Sequence, residues 1–205
     1  MKKITSIIML LCVHICFVQC KEKIEVETYE VTPEFAKKID KPEVHFIVDI
    51  PKNLKFDKPV EGKKTYSYGM IQEVGEDSVT REMCSFGYIK MEGNMSLKKD
   101  GGSFMDQILQ MLKSGGYKIE EKNIGVQEFD GKEYMTLRAI GTMKEGISKE
   151  FVGRYFFNVV AKPNPYGDTN IIMLMAARED QVKTYEDFKD KLTISTVWNS
   201  FKYLK

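Results

Sequence analysis

The segment Ile171-Ile172-Met173-Leu174-Met175-Ala176-Ala177 constrains the fold more than any other part of the chain. Side chains of a β-strand alternate between two faces, so an unbroken apolar run leaves neither face for water. Such a strand belongs in the middle of a sheet, with cover on both sides. Its partners are legible nearby. Residues 151–162 read as a strand carrying Phe151, Tyr155 and Phe157 on one side. Residues 117–129 and 132–143 flank Asp130-Gly131, a pair favoured in tight hairpins because both central positions need positive φ.

Toward the N-terminus, Val44, Phe46, Val48 and Ile50 alternate with His45, Ile47 and Asp49, the period of a half-buried strand that Pro51 ends. Two more strands are expected over 64–74 and 79–92, turning at Gly75-Glu76-Asp77, with Tyr66, Tyr68 and Met70 sharing one face. Ser103, as an N-cap with Asp106 three residues on, predicts a helix start. Phe104, Ile108, Met111 and Leu112 form its apolar stripe, and Gly115-Gly116 ends it. A last helix is expected from Tyr185 to Phe201, held by packing because Thr193, Ile194 and Thr196 are weak helix formers.

These elements predict an α+β domain with a central antiparallel sheet of about six or seven strands flanked by helices. The strand running into Ile50-Pro51, the Asp130-Gly131-Lys132-Glu133-Tyr134 hairpin and the terminal Ser200-Phe201-Lys202 together resemble the PsbP-like superfamily over residues 43–203. That resemblance implies an α/β/α sandwich. It also implies an accessory or binding role, since known members include an extrinsic photosystem subunit and a Ran-binding factor. It carries no functional residue onto this chain.

The N-terminus has a different purpose. Met1-Lys2-Lys3, the mostly apolar stretch Ile4 to Val18 and then Gln19-Cys20 form an export leader. Fifteen helical residues span roughly 23 Å, short of a ~30 Å hydrocarbon core, so cleavage is favoured over retention as a span. The segment resembles a bacterial lipoprotein signal peptide, of a loose kind familiar in Bacteroidetes, and the resemblance makes Cys20 the lipid-attachment residue. Phe17 and Gln19 depart from the usual lipobox, and ordinary signal-peptidase cleavage and a retained anchor are the alternatives. The expected division is a leader over 1–19, a charged tether over 20–42 in which Thr32-Pro33 caps one helical turn, and a single domain over 43–205. The location implied is the cell envelope, lipid-anchored on the periplasmic face of the outer membrane or on the cell surface, with multiple acyl chains making attachment stable.

Chemistry is sparse. Thirty-one basic residues against 30 acidic ones argue against nucleic acid as the main partner. The mature chain holds one histidine, His45, which excludes a His-rich zinc site, and no cofactor motif occurs. Cys84 reads as a small buried hydrophobe. Glu128, Asp130 and Glu133 crowd one hairpin tip, where solvated charge is the ordinary reading. The best recognition candidate is the loop 163–168, with Tyr166, Asn164 and Asp168, because two prolines reduce its freedom and Tyr166 presents an aromatic face. The function expected is that of a non-catalytic, membrane-anchored binding or accessory protein with a protein or small-ligand partner. A structural subunit of an envelope complex and a carboxylate hydrolase are the alternatives.

Overall fold

The computed structural model describes residues 24–205, apart from residues 94 and 130. The leader, Cys20 and Asp130 therefore lie outside the described residues.

The hairpin forms where the turn chemistry places it. Strands β6 (Tyr117–Phe129) and β7 (Lys132–Met143) pair antiparallel from Phe129↔Lys132 down to Tyr117↔Met143. Gly131 takes φ +73°, a conformation that costs an L side chain about 1–2 kcal/mol. Strand β8 (Gly153–Lys162) adds to β7, and β9 (Thr169–Arg178) adds to β8. On its other side β9 pairs with β5 (Thr80–Lys90), followed by β4 (Met70–Val74) and β3 (Lys55–Asp57). The seven-stranded order is β3-β4-β5-β9-β8-β7-β6, so the doubly apolar β9 is central.

A second sheet of three strands, β1-β2-β10, covers one face of the first. It comprises β1 (Val26–Val31), β2 (Phe46–Pro51) and β10 (Lys202–Tyr203). The main core lies between these sheets, with Phe46, Val48 and Ile50 of β2 against Phe86, Ile171 and Met173 of the large sheet. This overturns the tether boundary at 42. Tyr29 and Val31 of β1 and Ala36 and Ile39 beyond are buried, and β1 pairs along β2 from Val26↔Pro51 to Val31↔Phe46. The dense charge before Tyr29 hid a strand whose apolar face starts only there. The capped turn does form: α1 (Pro33–Lys38) begins at Thr32, whose hydroxyl accepts from the Phe35 N–H.

The opposite face carries α2 (Leu97–Ser114), which starts earlier than Ser103. Ser96 is the N-cap: its Oγ accepts from the Lys99 N–H at 3.2 Å, while Asp100 accepts from the Ser96 N–H at 2.8 Å. Ser103 instead donates to the Asp100 carbonyl inside the helix. The buried stripe is accordingly rotated to Met105, Leu109 and Leu112, with Gly101 close against Met135. Phe104 and Ile108 are only partly buried, and Met111 is 55% exposed. The expected strand over 64–74 shortens to β4. Tyr66 and Tyr68 do not share a face: Tyr66 is 84% exposed while Tyr68 is fully buried.

The C-terminal helix is split as well. A 3₁₀ helix at Tyr185–Lys189 and α3 (Ser195–Ser200) replace the continuous run. Ser195 Oγ accepts from the Leu192 N–H and donates to the Phe188 carbonyl, closing the turn between them. The Ile194 N–H finds its acceptor in Glu82 of β5 rather than in a preceding helical turn.

Candidate functional site

Helix α2 packs over β6, β7 and β8, which is only part of its face of the large sheet. The neighbouring surface of β9 and β5 is covered less evenly: Ile172 and Ile89 are buried with the helix residues, while Leu174 is only partly so. Ile172 and Leu174 of β9 and Ser85, Gly87 and Ile89 of β5 form the floor of a groove of about 860 Å³. Phe104, Ile108 and Met111 of α2 make one wall, which explains why these apolar helix residues are incompletely buried. The loop 57–67 makes the other wall. Its volume lies within the range of ordinary small-molecule sites.

Three backbone and side-chain features hold that loop. Tyr68 is buried in the main core and its hydroxyl donates to the Pro42 carbonyl at 2.6 Å. The Tyr29 hydroxyl donates to the Tyr68 carbonyl at 2.6 Å. Gly69 takes φ +143°, and a Cβ there would lie 2.9 Å from the Phe56 ring. Both strain and crowding therefore demand glycine. We expect Gly69→Ala to lower stability by about 2 kcal/mol in urea denaturation; an unchanged midpoint would show that the loop is not set by this residue.

The rim of the groove is basic. Lys58, Lys63, Lys64 and Lys90 line it, against the single carboxylate Asp57. Lys90 is paired with Glu92 at 3.5 Å and Asp168 at 3.7 Å. Lys58 and Lys64 lie over the rings of Tyr29 and Tyr66, each at 5.5 Å. Among the described residues, Lys58, Lys63 and Lys64 make no ion pair. The arginines elsewhere are paired: Arg81 meets Asp77 and Asp180, and Arg154 meets Glu120 and Glu179.

The residues singled out from sequence fall elsewhere. In the loop 163–168, Asn164 is a brace: its side-chain carbonyl accepts from the Tyr166 N–H at 2.9 Å and its amide donates to the Thr169 carbonyl at 3.0 Å. Tyr166 is half exposed beside Phe201 and Tyr203 in a separate depression of about 580 Å³. Of the three, only Asp168 approaches the groove, through Lys90. Cys84 is fully buried in the main core, where burial pushes its thiol up to about 12 and out of nucleophilic use. His45 lies between Glu30 Oε1 at 2.8 Å and the Lys205 carbonyl at 3.0 Å, and the hydrogen bond to Glu30 raises its pKa. Glu133 pairs with Lys98 at the hairpin tip. Cys84, His45 and the described hairpin carboxylates, Glu128 and Glu133, occupy separate places and do not meet in one site. No metal-binding cluster of His, Cys, Asp and Glu occurs among the described residues.

Sequence reasoning missed the groove itself. One signal was available: a glycine, Gly87, interrupts the pattern of a long strand, which often marks a bulge or the close approach of another group.

No protein-family model matches the chain, and no curated protein matches it. Among solved structures it is similar to cyanobacterial PsbP (CyanoP) from Synechocystis sp. PCC 6803. The TM-score is 0.52 and the identity 17%, covering 90% of this chain and 96% of that one. The Ran-binding protein Mog1p of Saccharomyces cerevisiae aligns with a TM-score of 0.46 and 10% identity, covering 88% and 96%. LpqN, involved in cell envelope biogenesis of Mycobacterium tuberculosis, aligns with a TM-score of 0.47 and 12% identity, covering 88% and 92%. The CyanoP likeness establishes the PsbP-type α+β fold for this chain, and at this identity it extends to the fold alone.

Proposed function

We propose that this protein is a membrane-tethered accessory protein of the cell envelope that binds its partner without transforming it. In this reading, lipid on Cys20 holds the domain beside the membrane and the groove between α2 and the large sheet is the binding site. The groove carries the proposal: it joins a shaped apolar floor to a basic rim, and its lining has no nucleophile paired with a base. The leader before Cys20 supports the tether. With β1 beginning at Val26, only a short charged segment separates Cys20 from the domain, which keeps the body close to the bilayer surface.

The alternative of a structural subunit joined through a sheet edge has less support. The long edge strand β6 carries Lys118, Glu120, Glu121 and Lys122, and its register shifts between Ile119 and Glu121. Charges and bulges on an edge strand oppose strand-to-strand pairing.

The Cys20→Ala protein is expected to leave the membrane fraction and to incorporate no labelled acyl chain. Unchanged membrane fractionation refutes the tether.

A further inference from the structure

We infer that the groove takes a single-chain amphiphile with an anionic head, its acyl chain along the floor and its head at the lysine rim. The inference rests on the groove being the binding site and names what occupies it.

Four observations converge. First, a central strand whose two faces are apolar needs cover on both, and beside the buried Ile172, which lines the groove, α2 leaves Leu174 of β9 only partly covered. Second, four of the large apolar side chains left exposed, Val60, Tyr66, Tyr88 and Met111, line this one groove rather than being scattered. Third, Gly87 is glycine for no local reason. It lacks a positive φ, and a Cβ would meet nothing nearer than Ile172 at 3.7 Å, an ordinary contact. What its missing side chain leaves is depth in the floor, next to Ile172, where a chain can lie against the sheet. Fourth, Lys58, Lys63 and Lys64 are unmatched by carboxylates among the described residues, while the arginines at other edges are paired. Positive groups at the rim of an apolar trough complement a ligand whose charge is at one end.

A peptide is a poorer fit. The floor presents side chains of two paired strands, β5 and β9, and no open strand edge to which a backbone could hydrogen-bond. An acyl chain has no such need.

Isothermal titration calorimetry of the purified domain, with ligands below their critical micelle concentrations, tests the inference. Palmitate and hexadecyl phosphate share the chain and differ in the acidic head; hexadecanol has the chain without the charge; acetate and inorganic phosphate have the charge without the chain. Saturable binding of palmitate and hexadecyl phosphate is expected, with hexadecanol at least tenfold weaker and the two small anions without effect. Gly87→Leu should weaken both amphiphiles at least tenfold while the melting temperature stays level or rises. Met111→Glu, at an exposed wall position, gives the same readout if Gly87→Leu does not fold. Lys63→Glu with Lys64→Glu should weaken the charged amphiphiles at least tenfold and leave hexadecanol unchanged.

Absence of saturable palmitate binding overturns the inference, as does binding that survives both Gly87→Leu and Met111→Glu. Equal affinity for hexadecanol overturns the role of the lysine rim. Failure here with Cys20-dependent membrane attachment intact removes the ligand class and leaves the tethered accessory protein standing. Palmitate binding without Cys20-dependent attachment does the reverse.

Discussion

Phe46→Ala should cost the domain about 3–5 kcal/mol, a large share of the 5–15 kcal/mol by which domains of this size are stable. Phe46 is fully buried where the two sheets meet. Its ring stacks on Phe201 at 5.2 Å and lies 5.7 Å from Phe86, 5.9 Å from Tyr68 and 6.4 Å from Tyr29. Those four rings come from the C-terminal segment, the large sheet, the groove loop and β1. Truncation removes one side of each aromatic pair and leaves a cavity that rigid strands on both sides cannot close. Phe46→Leu keeps most of the volume and should cost less than about 1.5 kcal/mol. Urea midpoints for the three proteins, at constant m-value, check the ranking. A loss below about 1 kcal/mol in Phe46→Ala would mean that the small sheet is not joined to the large one through this ring.

Stability should also fall as pH rises from about 4.5 toward 7, and Glu82 should be the main source. Burial beneath α3 raises its carboxyl from the ordinary 4.5 to about 7; the hydrogen bonds from the Ile194 and Thr193 N–H groups oppose that rise and nearby Glu73 reinforces it. A folded-state value above the unfolded one means that the folded protein binds the extra proton between the two. Its contribution is therefore intact below 4.5 and lost as pH climbs through about 7. With each pKa unit equivalent to about 1.4 kcal/mol, the change is about 2–3 kcal/mol. Other groups are separable. Asp187, held at about 2 by Lys191 and two backbone N–H groups, lends stability that is lost only as pH falls through the strongly acidic range. His45, raised by Glu30, adds a slope of the same sign as that of Glu82, but above its ordinary 6.5. The difference in unfolding free energy between the parent and Glu82→Gln, followed across pH 4.5–7, isolates the carboxyl. An identical slope in the two proteins would clear Glu82 of the effect. The same side chain matters to architecture, because Glu82 accepts from the Ile194 N–H at the start of α3.

The hairpin at Gly131, the central place of β9 and the alternation of β2 were all legible in the chain, because each depends on rules that act within a few residues: turn conformation, and the two-residue period of a strand. The helix at Pro33 was legible for the same reason, since Thr32 caps it locally. Other features were not. Ser96 and Ser103 are both competent caps with an acidic residue nearby, and the turn that a start at Ser103 would omit carries Gly101, buried close against Met135. The run from Tyr185 to Phe201 has helical spacing, yet Glu82, more than a hundred positions away, supplies the acceptor that starts α3 after a break. The strand at Val26 looked like a solvated linker until β2 lay beside it.

The candidate site shows the same division. Local sequence determined that β9 is greasy on both faces, that Gly87 lacks a side chain and that lysines crowd residues 58–64. Only the tertiary structure decided that α2 lies mainly over β6, β7 and β8, so that these three facts meet in one trough. A strand's own residues set its hydrophobicity, whereas how far a neighbouring helix reaches across it depends on packing between segments far apart in the chain.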